Sequence, residues 1–346
     1  MAASFDCQKA TQPLDKKICG DAELSKLDED LAAAYGKAKT AMSPAGQKDL
    51  QNSQRDWLAF SRRICKSRLD PKIAKAAEET PEDCLKGAYR ERIEDLGAAV
   101  TQSNGFTFRR IDLYALAEDP AMDPSAHPGF SYRRISFPRI DQAPSGINVA
   151  AWNKLIAVAA QKLAASDDDD KGAAAEKAAL GAPDNIAKPG MGSAPPADVD
   201  VGFNIGLVTP EMISVELTYG VMGHGAAHPG GFSEIHNVML ADGHELTATD
   251  LFKSGADWQG YVVKRCHDEW LKIMEDAPDE VDDKAIADVV SDPHLWQLTD
   301  KGISILFPFY SVGPYVVGEQ QVDFTWDELK PYLTDKLPFT LPAKSG

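Results

Sequence analysis

Apolar residues recur at three- and four-residue spacing over Leu24, Leu27, Leu31, Tyr35 and Ala38, which predicts a helix with one buried stripe. A second helix is predicted from Ser43-Pro44, an N-cap followed by proline at the first helical position, with Leu50, Trp57 and Ile64 facing inward. The same start recurs at Thr80-Pro81-Glu82-Asp83, after which Leu85, Tyr89 or Ala88, Ile93 and Leu96 turn inward. Three stripes joined by short loops predict a small helical bundle over residues 1–100.

The period changes after a turn-rich segment at Thr101-Gln102-Ser103-Asn104-Gly105. Phe106 to Phe108 and Tyr132 to Ile140 alternate aromatic or β-branched residues with polar ones, the mark of strands. Further strands are expected over Val199–Leu207, Met212–Val221, Glu234–Leu240, Gly302–Phe309 and Gln320–Phe324, with helices over Ile147–Ala165, Asp257–Met274 and Trp326–Leu333. Strands and helices mix without strict alternation, so the expected class is α+β. A disulfide-stapled three-helix bundle precedes an α+β domain at 101–346 with a mainly antiparallel sheet and packed helices. Residues 166–197 combine an acidic run with Ala, Gly and Pro and are read as a mobile loop.

Composition sharpens this division. The chain of 346 residues is 43% hydrophobic, and no run approaches the roughly 18 apolar residues of a membrane helix. Residues 1–98 hold 17 basic and 17 acidic side chains, so the entire net charge of −17 lies beyond them, where 19 basic face 36 acidic residues. From Pro189 to Phe252 there are eight acids and neither Lys nor Arg. Such a field repels nucleic acid and anionic lipid and speeds encounter with a cationic protein, although acidity also serves solubility.

Cysteines have the opposite distribution. Cys7, Cys19, Cys65 and Cys84 lie in the first quarter, and only Cys266 lies beyond. With antiparallel helices, Cys19, Cys65 and Cys84 share one pole of the bundle, and Cys7 can fold back to it. Three pairings are then possible, of which Cys7 with Cys19 and Cys65 with Cys84 is preferred. Four reduced core thiols are the alternative. A redox role is disfavoured because no C-x-x-C begins a helix. The start, Met1-Ala2-Ala3-Ser4-Phe5-Asp6-Cys7, is read as a mature sequence with an added initiator Met, so a periplasmic or secreted location is expected.

Phe5-Asp6-Cys7, Ile18-Cys19, Leu27-Asp28, Tyr35, Gln54-Arg55-Asp56-Trp57-Leu58, Cys65, Cys84 and Tyr89-Arg90-Glu91-Arg92-Ile93 together resemble the N-terminal family of LprI-type lysozyme inhibitors, over nearly all of residues 4–97. Physically, Arg55 and Arg92 are expected to pair with Asp28 or Glu91 and lock helices together.

A second resemblance lies downstream. Tyr219, Gly223 to Gly231, Leu246-Thr247, Asp250-Leu251-Phe252, Leu298 to Gly302, Phe307, Tyr310, Val312-Gly313-Pro314-Tyr315, Gly318 and Asp327-Glu328-Leu329 look like the extracytoplasmic domain of RsiV-type anti-sigma factors. The likeness spans most of residues 106–335. It implies lysozyme binding, and the same domain type accompanies some peptidoglycan deacetylases.

The same segments carry the candidate chemistry. His224 and His228 in the Gly223–Gly231 segment, followed by His236 and His244, raise a metal site. Glycines and proline make the segment a loop rather than a helix and no H-E-x-x-H is present, so no metal or cofactor is expected. A glycine-rich loop that lets backbone approach a partner fits better. Tyr310 and Tyr315 frame a Gly-Pro turn, either as rigid contact residues or as packing over a sheet edge. If loop and turn share one edge, they form an acidic, aromatic surface, with His224, His228, Pro229, Glu234, Tyr310, Pro314 and Tyr315 as its partner-binding residues.

No nucleophile elbow or phosphate-cradling loop stands out, and Cys266 reads as a buried thiol, so no enzyme is expected. The expected function is an exported bacterial lysozyme binder and inhibitor. The alternatives are a peptidoglycan-binding module without inhibitory activity and an unrecognised hydrolase.

Overall fold

The computed structural model describes residues 3–118, 130–165, 197–224 and 226–341. Of the segment expected to be a mobile loop, 166–197, residues 166–196 lie outside them, and Ala197 opens a strand.

The three anticipated helices are α2 (Ala22–Thr40), α3 (Pro44–Ser67) and α5 (Pro81–Gly97). Two short helices join them, α1 (Pro13–Gly20) and α4 (Pro71–Ala76), so the expected three-helix bundle is extended. Asp21 separates α1 from α2: its backbone is extended, and its carboxylate accepts from the amides of Glu23 and Leu24 at 2.8 and 3.0 Å, capping α2. Leu14 and Ile18 thereby enter a core with Leu24, Leu31, Leu50, Trp57, Leu85, Tyr89 and Leu96. The disulfides are Cys7–Cys19 and Cys65–Cys84, with Cα atoms 5.8 and 5.5 Å apart.

A six-stranded sheet follows in the order β1 (Val100–Ser103), β2 (Phe106–Glu118), β3 (Phe130–Gln142), β4 (Ala197–Val208), β5 (Met212–Gly223) and β6 (Gly230–Met239). Neighbours are antiparallel except β3 and β4. That parallel pair needs a crossover, and α6 (Ala150–Leu163) lies within it. The segment read as a turn at 101–105 is mostly strand: Thr101 to Ser103 pair with β2, and only Asn104 and Gly105, with φ of 47° and 83°, turn the chain as a two-residue hairpin requires.

A second unit contains α7 (Ala248–Leu251), α8 (Trp258–Ile273), α9 (Asp283–Val290), β7 (Trp296–Leu298), β8 (Gly302–Phe307), β9 (Gln320–Thr325) and α10 (Trp326–Leu329). β7, β8 and β9 form an antiparallel sheet around Trp270, Trp296, Phe307 and Phe324. β8 stops before Pro308, which has no N–H to continue a ladder. Among the described residues, no helix is long and apolar enough to cross a membrane.

The six-stranded sheet is covered on both faces. On one, Phe106, Phe108, Ile135, Phe137, Val215 and Val238 bury Trp152 and Ile156 of α6. On the other, the bundle docks through charge. Arg92, fully buried in α5, donates to Asp112 of β2 at 2.7 Å, to the Tyr114 hydroxyl at 3.1 Å, and to Gln54 and Ser53 of α3 at 3.0 Å each. Arg110 reaches Asp95 at 2.9 Å and Ser136 at 2.7 Å, while Arg109 pairs with Asp49 and Arg134 bridges Glu91 and Asp200.

The expectation that Arg55 and Arg92 pair with Asp28 or Glu91 is therefore corrected. Arg92 holds the bundle to the sheet, Asp28 accepts from the Ser4 amide at 2.6 Å, and Arg55 reaches only exposed Asp56 at 3.5 Å. Burial tends to raise the Asp112 carboxyl, but the two guanidiniums outweigh it and hold the group below the usual range. Burial also lifts Asp95, to about 6 despite Arg110 beside it.

Candidate binding surface

The hairpin of β5 and β6 pairs Val221 with Gly230 and Gly220 with Gly231, so the glycine-rich segment is a loop only between Gly223 and Gly230. Its close approach is internal. A Cβ at Gly231 would sit 2.5 Å from the Tyr219 carbonyl oxygen, so the missing side chain lets β6 lie against β5.

The turn after β8 meets this hairpin tip. The Tyr315 hydroxyl donates to the Pro229 carbonyl at 2.8 Å, and its ring stacks on His228 with centroids 3.9 Å apart at 25°. Phe309 stacks on the same ring at 5.0 Å, and Tyr310 lies tilted at 5.7 Å. Pro314 caps the short 3-10 turn that presents Tyr315. Gly313 packs against Trp270 and Met274, where a Cβ would fall 3.2 to 3.3 Å from their side chains, and this anchors the turn to α8.

Braced in this way, the turn projects apolar surface. Tyr310 is 64% exposed and Val316 88%. Tyr310 has a φ of 63°, a conformation that side chains with a Cβ rarely adopt. Phe232 and Met222 of the hairpin are also exposed.

His228, Pro229, Tyr310, Pro314 and Tyr315 are thus brought together, whereas two expected members lie elsewhere. His224 is buried, its Nε2 3.3 Å from Asp198 of β4. Burial lifts the Asp198 carboxyl above its ordinary value even with His224 beside it. Glu234 lies further along β6, its carboxylate 3.7 Å from the His236 Nε2, and with His294 these form a set of metal-ligating types. The reason is strand alternation and distance along the ladder, neither of which the glycine-rich composition reveals. Cys266 is buried, and burial pushes its thiol up to about 12, too high for a thiolate nucleophile at neutral pH.

Sequence reasoning missed a cleft of about 800 Å³ between bundle and sheet. Phe60 of α3 packs on Tyr114 and Tyr132, with centroids at 5.3 and 5.6 Å, and Arg134 lies over Tyr132 at 5.4 Å. Asp198 and Asp200 complete this wall, and burial raises both phenols. Its signal in the sequence is the alternation of aromatic residues and Arg along β3, a pattern that marks a strand without revealing the cleft it lines.

Two stretches match known families. Residues 7–96 match the family model described as lysozyme inhibitor LprI, and residues 249–327 match DUF3298, a protein family of unknown function. No curated protein matches the chain. A DUF3298 family member from Bacteroides fragilis has 12% identity and a TM-score of 0.47, the alignment covering 68% of this chain and 96% of that one. A DUF3298 protein from Pseudomonas aeruginosa has 15% identity and a TM-score of 0.43, with 66% and 95% covered. Family likeness therefore resides in two segments, a lysozyme-inhibitor-type bundle and a DUF3298 stretch.

Proposed function

We propose that this protein is exported and binds and inhibits lysozyme. The observation that carries the reading is the lysozyme-inhibitor family match over residues 7–96, which takes in both disulfides. Disulfides suit an oxidising compartment outside the cytoplasm.

In this reading the acidic region beyond the bundle steers the cationic enzyme, and the braced turn at Tyr310 to Val316 enters or covers its cleft. A rigid turn loses little entropy on docking, and exposed aromatic side chains are typical anchors of interfaces. The resemblance to RsiV-type domains points to the same partner.

Titration with lysozyme by calorimetry at low and at physiological salt tests the proposal. Stoichiometric binding that weakens with salt, together with loss of lysozyme activity, is expected. Absence of binding at low salt would sink it.

The aromatic cleft favours a second reading, a cell-wall glycan or peptide module. Retention on purified peptidoglycan without any effect on lysozyme would select it.

A further inference from the structure

We propose that Glu234, His236 and His294 form a binding site for a divalent transition-metal ion of the zinc class. Glu234 and His236 are two residues apart on β6, so both leave the same side of the strand. His294 comes from the 3-10 turn Pro293–Leu295, whose approach to β6 is fixed by a contact of its Nδ1 with the Ile235 carbonyl oxygen at 3.2 Å. One ligand-type atom from each residue lies within 4.8 Å of the other two. A tetrahedral ion with bonds of about 2.1 Å holds its ligands about 3.4 Å apart, so closure by little more than about 1 Å completes the site. The Glu234 and His294 side chains, 36% and 44% exposed, have room for that adjustment.

The independent pointer is His236, whose side chain is only 4% exposed. Its Nδ1 lies 2.6 Å from Glu245 Oε1. In the neutral ring that contact places the proton on Nδ1, which donates to the Glu245 carboxylate, and this tautomer leaves Nε2 with a bare lone pair. That nitrogen is buried and has no hydrogen-bond partner. A buried polar atom left unmade is costly, and an ion beside it would resolve the cost. A carboxylate behind a histidine ligand is the usual support of such an ion, and the Ile235 carbonyl plays that part for His294, leaving the other ring nitrogen for coordination.

Three protein ligands leave one position for water or for a group from a partner. The ion would tie the edge of the six-stranded sheet to the turn that leads into β7, bracing the two sheets. This inference does not depend on the lysozyme reading.

The test uses the full chain, stripped with chelator and titrated with zinc chloride by calorimetry and with cobalt chloride by visible absorption. One ion per chain, d–d bands of low coordination number and a melting temperature raised by zinc are expected. His294→Ala and Glu234→Gln, both at partly exposed positions, should each weaken binding at least tenfold. Glu245→Gln should weaken it by roughly ten- to a hundredfold without removing a ligand, and His228→Ala should leave it unchanged. Circular dichroism of each variant separates lost binding from lost folding. No stoichiometric binding by the parent chain, or undiminished binding by folded His294→Ala and Glu234→Gln, overturns the proposal.

Discussion

The two faces of the six-stranded sheet are both buried, yet by different means. Against α6 the contact is mainly Phe, Ile, Val and Trp, fitted by shape, with one polar tie where Asn153 accepts from the Ile140 amide and donates to its carbonyl at 2.8 and 3.1 Å. Against the bundle it is Arg92, Arg109, Arg110 and Arg134 set among Asp49, Glu91, Asp95, Asp112 and Asp200. Apolar packing gains from each methylene removed from water and tolerates repacking. A buried ion network gains little net energy, because desolvation offsets attraction, but it penalises any arrangement that leaves one charge alone. The apolar face supplies stability, and the polar face determines where the bundle sits.

The largest test sets the faces against each other. Arg92→Ala should cost about 3–5 kcal/mol because it takes one of two guanidiniums from buried Asp112 and leaves Tyr114, Gln54 and Ser53 without their donor. Trp152→Ala should cost a similar amount, about 3–5 kcal/mol, through the cavity it leaves. The difference lies in rescue: adding Asp112→Leu to Arg92→Met should restore most of the loss, whereas the Trp152 cavity has no charged partner to remove. Urea unfolding of the four variants reads this. A cost below about 1 kcal/mol for Arg92→Ala would show that water reaches the seam.

Next in size is the Cys65–Cys84 staple, whose partners are 19 residues apart. Replacing both with Ser should cost about 3 kcal/mol. In the thermal melt, reductant should bring parent and variant to one level, with the parent falling further, because Cys7–Cys19 is opened in both.

A smaller effect belongs to Asp95 within the seam. Its folded pKa of about 6 lies above the ordinary value of 3.8, so the folded state retains the proton longer. Its contribution to stability is full below about pH 4 and is lost as pH rises through about 6, a change of at most about 3 kcal/mol. Asp95→Asn should flatten the stability profile between those values, as measured by denaturant midpoints at several pH values.

The smallest effect concerns Tyr310. Its positive φ stores strain of about 1 kcal/mol. Tyr310→Gly should raise stability by that amount while weakening lysozyme binding about tenfold. Equal affinity in calorimetry would remove this turn from the interface.

Much of the architecture could be read from local signals. The stripes of α2, α3 and α5, the Ser and Thr caps of α3 and α5, the Asn104-Gly105 turn and the clustering of four cysteines each act over a few residues or one pole. What escaped was non-local. Alternating Arg and Ser on β3 marks a strand without saying what lies against it, because strand period records alternation and not cover. Arg92 found its partner on the far side of the helix-to-strand boundary. Tyr315 meets Pro229 across 86 positions, and the coupling of His294 to β6 spans 59. The short α9, with Ile286, Val289 and Val290 between acidic stretches, offered barely two turns of pattern. Within the candidate surface, the Gly-Pro turn and the hairpin tip were each visible as segments, whereas their contact through Tyr315 depended on the packing of Gly313 against α8.

The charged seam also gives the molecule a thermal asymmetry. The hydration of ions weakens on warming, so the desolvation that opposes the seam shrinks, while the grip of apolar surface reaches a plateau and fades on cooling. Heating therefore loosens the α6 face relative to the bundle face, and both lose advantages of different origin in the cold. The bundle should be among the last elements to part from the sheet as temperature rises, so the outline that bundle and sheet make together should outlast the packing behind it.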